Sequence, residues 1–97
     1  MNKYQLIINF NVDEEFMDLI PKHRALIDEL ILKSIIDSYA ISGEAGRGWI
    51  IINANNKKEA KNHLMKSPIA KYFFDIEIEQ LLVYDSQLYR FPKIMMN

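Results

Sequence analysis

The spacing of apolar residues changes from two to three or four and back again along this chain, and those changes mark out its elements. Tyr4, Leu6, Ile8 and Phe10 alternate with Gln5, Ile7 and Asn9, so Lys3 to Phe10 reads as a strand. Asp13 follows as an N-cap, with Glu14 and Glu15 in a first turn where acidic groups suit the helix dipole. Phe16, Leu19, Ile20, His23, Leu26, Ile27, Leu30 and Ile31 then recur at helical spacing and predict a long helix ending near Lys33. Pro21 removes one backbone donor within it. The stripe keeps its phase across the proline, which favours one distorted helix over two pieces.

Ser34 to Ser42 carries the strand formers Ile35, Ile36, Tyr39 and Ile41, and Trp49 to Ala54 is a second β-rich run. Between them Gly43, Gly46 and Gly48 predict a hairpin turn. No Lys-Ser/Thr follows these glycines, and they lead into a strand, so they are not a phosphate loop. Asn55 and Asn56 can cap a second helix, KKEAKNHLMKS, with Ala60, Leu64 and His63 as its inward candidates, and Pro68 ends it. A last strand alternates, with Phe74, Ile76 and Ile78 expected on one face and Asp75, Glu77 and Glu79 on the other.

The order strand, helix, strand, strand, helix, strand is the ferredoxin-like split β-α-β arrangement, an α+β fold. Right-handed crossovers place the first and third strands side by side in the centre and both helices on one face. The other face, with Ile7, Trp49, Ile51 and Tyr39 as its expected members, is apolar enough to call for a cover. A second copy of the sheet would supply one. Residues 1–84 form the expected domain and residues 85–97 a tail. The tail carries Leu88, Tyr89, Phe91, Ile94, Met95 and Met96 and is expected to pack on a neighbouring subunit or to add an edge strand before Pro92.

Composition narrows the partners. Twelve basic and thirteen acidic residues leave a net charge of −1, with neither sign in a block. That gives no electrostatic ground for nucleic acid or a membrane surface. No run approaches the roughly 20 apolar residues of a membrane span. The absence of cysteine removes disulfide and thiolate chemistry and fits a reducing compartment, so a cytoplasmic location is expected.

Candidate chemistry is sparse. His23, the titratable residue on the first helix's apolar stripe, could move a proton near neutral pH. It could equally be a half-buried histidine satisfied by a carbonyl or water. Glu77, in the middle of the acidic row, would make a general acid or base if a dry cleft raised its pKa. The same row could instead be a solvated face. Arg47 and Trp49 flank Gly48 and could grip a carboxylate against an indole wall, with Tyr39, Tyr4 and Tyr72 as further lining. Each aromatic could also simply complete the core. No ligand spacing suggests zinc, and an alternating row of carboxylates does not converge on one ion, so neither metal nor cofactor is expected.

HLMKSP followed by KYFFDIEIEQL resembles the end of muconolactone isomerase: a helix closing in Leu-Met-x-x-Pro, then a Tyr and an Asp-Ile-Glu strand. The resemblance covers about the last third of the domain. It implies a dimeric α+β barrel, two sheets face to face, and cofactor-independent isomerisation or proton transfer on a small acidic or lactone metabolite. A non-catalytic small-molecule-binding or assembly module of the same fold is the alternative, and a cofactor-free oxygenase rests on fold analogy alone. IPKHRALIDEL is similar to the Pro-x-His-x-x-x-Leu helix of YCII-related proteins. The acid those proteins place near the helix end is missing here from Leu30 to Ser34.

Overall fold

A computed structural model describes residues 1–86. The tail residues from Leu88 onward, and with them the expected subunit contact, lie outside the described residues. Strand β1 (Asn2–Phe10) leads into helix α1 (Glu14–Leu32), then β2 (Ile36–Ser42), β3 (Arg47–Ala54), helix α2 (Lys57–Met65), a 3-10 turn at Ala70–Tyr72 and β4 (Phe73–Gln80). The four strands form one antiparallel sheet in the order β2-β3-β1-β4, so β1 and β3 are central. This is the ferredoxin-like βαββαβ arrangement that the element order implies. No helix among the described residues is long and apolar enough to cross a membrane.

The core lies between the sheet and the helices. Tyr4, Leu6, Ile8 and Phe10 of β1 and Ile50, Ile52 and Ala54 of β3 face Phe16, Ile27 and Leu30 of α1 and Ala60 and Leu64 of α2. Asp13 caps α1 by accepting the Phe16 amide at 2.8 Å, and Asn56 caps α2 through the Glu59 amide at 2.8 Å. Both caps supply an acceptor for an amide that the first turn leaves without one. Helix α1 runs unbroken through Pro21. The β2–β3 turn uses Gly46 at φ +62, where an added Cβ would lie 2.9 Å from the Phe10 carbonyl oxygen.

Two β-bulges alter the expected faces, and both contain an aspartate. In β2, Ile36 pairs with Ile52 but Ser38 pairs with Ile51, so Asp37 is the extra residue. In β4, Ile7 faces Glu77 while Asn9 faces Phe74, and Asp75 adopts φ +48. Each bulge reverses the alternation beyond it. Tyr39, expected on the uncovered face, therefore sits opposite Ile50 on the helix-covered face. Phe74, expected in the row of Ile76 and Ile78, instead faces the uncovered side and is 44% exposed, while those two isoleucines pack on the core.

Relative to simple alternation, the uncovered face thus loses Tyr39 and gains Phe74. Ile7 and Trp49 do lie there, and so does Ile51, which is already buried. At one end Lys3 is ion-paired with Asp37 and donates to Asn53 Oδ1 at 2.9 Å. Asn53 in turn donates to Asp37 at 3.0 Å.

Candidate active site

The structure divides the expected site residues between the two sides of the sheet. His23 and Tyr39 meet on the helix side. Arg47, Trp49 and Glu77 lie together on the other, around a separate groove. Glu77 pairs across β1 with Ile7, so the full thickness of the sheet separates it from His23. It is not the histidine's catalytic partner. Tyr4 is core, with its hydroxyl accepting from Asn2, and Tyr72 donates to Asp13 at 2.8 Å, so neither joins Arg47.

His23 is 2% exposed on the inner face of α1. Its Nδ1 lies 2.6 Å from Ser67 Oγ and its Nε2 lies 2.6 Å from the Tyr39 hydroxyl. A neutral imidazole has one N–H and one bare nitrogen, so one hydroxyl donates to the ring while the other accepts from it. Ser67 is itself fixed, because its Oγ accepts the Ile69 amide at 3.2 Å. The Ser-Pro step that ends α2 thus aims a buried hydroxyl back at α1. Three distant segments, one each from α1, β2 and the α2–β4 connection, converge on one ring.

Burial, and then the nearby Arg24 charge, pull the His23 pKa down to about 4, so the ring is neutral at physiological pH. Burial pushes the Tyr39 pKa up despite Arg24, so its phenol stays protonated. Arg24 lies with its guanidinium carbon 5.7 Å from the Tyr39 ring centroid.

Beside this trio opens a cleft of about 510 Å³ between α1 and the sheet. Phe10, Phe16, Ile20, Ile41, Ile69 and Phe73 make its walls apolar, and His23, Arg24 and Tyr39 supply its polar edge. An apolar cavity with a few convergent polar groups is what a small ligand with one oxygen-bearing end requires. Among the described residues no group of three or more His, Asp or Glu side chains could hold a metal ion.

Of these parts, His23 was recognisable from its place on the helical stripe. Ser67 was not, since nothing in a Ser-Pro step reports where its hydroxyl points. Arg24 reads as part of the solvated helix face, and only the position of Tyr39 shows that it borders the cleft.

The chain matches no protein-family model and no curated protein.

Proposed function

We propose that this chain is a muconolactone isomerase-like protein that binds a small acidic or lactone metabolite in the α1–sheet cleft and moves a proton on it. One observation carries the reading: a buried, neutral imidazole joined to a phenol and a serine hydroxyl, each at 2.6 Å, in the wall of an apolar cavity of about 510 Å³. The Tyr39 oxygen is the end of this chain of groups that a ligand can reach. It takes a proton from a carbon next to the substrate carbonyl while its own proton passes to His23 Nε2, so the phenol stays neutral and the imidazole becomes charged. The electron pair left on the substrate is held as an enolate beside the Arg24 guanidinium. Return of the proton through the same two groups to a different carbon completes an isomerisation with no net change in the protein. An imidazolium with so low a pKa gives its proton back readily.

The test is a thermal-shift screen of small carboxylates and lactones, followed by NMR of any stabilising compound in D2O. Wild type should catalyse deuterium uptake next to the carbonyl, and Tyr39→Phe should bind the compound while losing on the order of a hundredfold in exchange rate. A compound that binds with no exchange above solvent would defeat the catalytic reading. It would leave a binding module of the same fold, a reading favoured by the fact that protein hydroxyls already occupy both nitrogens of His23.

A further inference from the structure

The groove on the opposite side of the sheet has a volume of about 580 Å³ and is lined by Ile7, Asn9, Arg47, Trp49, Asp75 and Glu77 among others. Its parts are positioned relative to one another. Asp75 leaves the strand pattern at φ +48, and its carbonyl oxygen accepts from Asn9 Nδ2 at 3.3 Å. That bond orients the Asn9 amide so that its oxygen accepts from Arg47 Nε at 3.3 Å. Arg47 is therefore held by one edge of its guanidinium. Among the described residues it makes no ion pair, which leaves the outer edge of the fork for a carboxylate. Trp49 and Glu77 both sit abreast of Ile7, so the indole and an acid without an ion-pair partner among the described residues flank the central strand.

Charge decides what fits. Arg47 supplies one cation and Glu77 one anion, so a compound with a single charge is attracted at one end of the groove and repelled at the other. A molecule carrying both an acid and an ammonium meets complementary charge at each end. Arg47 and Glu77 lie two strand spacings apart and two residues along, about 12 Å between their backbones at ordinary sheet spacings. Two side chains leaning inward across that gap leave room for the head of an α-amino acid. Trp49, 37% exposed, offers a face for its side chain. The geometry points to a second ligand site on the uncovered sheet face, for a zwitterionic α-amino acid with an apolar or aromatic side chain, independent of the His23 cleft.

Trp49 is the protein's single tryptophan, so its fluorescence reports this groove directly. Titration of the full chain with L-phenylalanine should give a saturable change, with phenylacetate and phenethylamine each about tenfold weaker or more. Arg47→Gln should weaken L-phenylalanine by about tenfold, and Glu77→Gln should remove its advantage over phenylacetate. Tyr39→Phe should leave the titration unchanged, so this site and the cleft stand or fall separately. Three results would overturn the inference. One is no saturable change up to about 50 mM, a limit well beyond millimolar affinity. Another is equal binding of the singly charged compounds. The third is that Arg47→Gln and Glu77→Gln alter the sedimentation coefficient but not the titration, which would make the groove a contact between two copies of the chain.

Discussion

His23 illustrates how burial, reinforced by a neighbouring charge, can set a residue's chemistry. Its pKa falls from 6.5 to about 4 on folding, so between those values the unfolded chain binds more protons than the native one. Stability from the neutral ring is therefore complete above about pH 6.5 and disappears as the pH drops through about 4. The shift corresponds to on the order of 3 kcal/mol. Urea denaturation of wild type and His23→Gln at pH 7, 5.5 and 4 should show their difference in stability shrinking by that order; a constant difference would contradict it. The proposed proton transfer has a matching signature. Its rate should rise through about pH 4 and stay level across neutrality, with no inflection at the pKa of an ordinary histidine, near 6.5. Close packing near the cleft makes a second residue-scale prediction. A Cβ at Gly48 would lie 2.6 Å from Ile41 Cδ1 and 3.0 Å from Ile8 Cγ1. Gly48→Ala should cost about 1–3 kcal/mol in urea denaturation, as overpacked sites usually do.

Among the elements, the helices were easy to read from sequence and the two edge strands were not. The α1 stripe predicts its buried face because Phe16, His23, Ile27 and Leu30 recur at helical spacing and meet one continuous apolar sheet. A proline in mid-helix leaves that stripe intact, since Pro21 points outward and only its missing amide matters. Pro21→Ala restores a hydrogen-bond donor at an exposed position and should raise the melting temperature, an increase tempered by the greater freedom of the unfolded chain. Strand faces are another matter. Alternation identifies a face only while the register is unbroken, and one inserted residue exchanges inside for outside. The bulge at Asp37 carries Tyr39 to His23, and the bulge at Asp75 carries Phe74 away from the core. Short polar aspartate tolerates the left-handed conformation at position 75 better than most residues. Asp75→Gly should accordingly be near neutral, whereas Asp75→Val should cost about 1–2 kcal/mol, with equilibrium denaturation as the measure.

At the scale of the whole molecule, the sheet separates two environments with different tasks. One side holds an apolar cleft edged by the His23, Ser67 and Tyr39 trio, and the other holds a more polar groove with Arg47 and Glu77 in its lining. Alternation alone sets Trp49 on the uncovered face and Glu77 opposite the buried isoleucines, and it misplaces only Tyr39, which the extra residue at Asp37 turns toward His23. The fold itself was recoverable because element order and crossover handedness restrict the topology so strongly. A site depends instead on the direction of individual side chains, and those follow from two single-residue insertions and one buried serine.

The paired bulges also bear on how the protein behaves when crowded. Among the described residues the outermost strands, β2 and β4, are each crimped by an extra aspartate, so neither offers a long, flat ladder for indefinite strand-by-strand growth. Concentrated solutions should therefore fail to seed thioflavin-positive fibrils. Cutting out Asp37 or Asp75 should straighten the corresponding margin and bring on such fibrils.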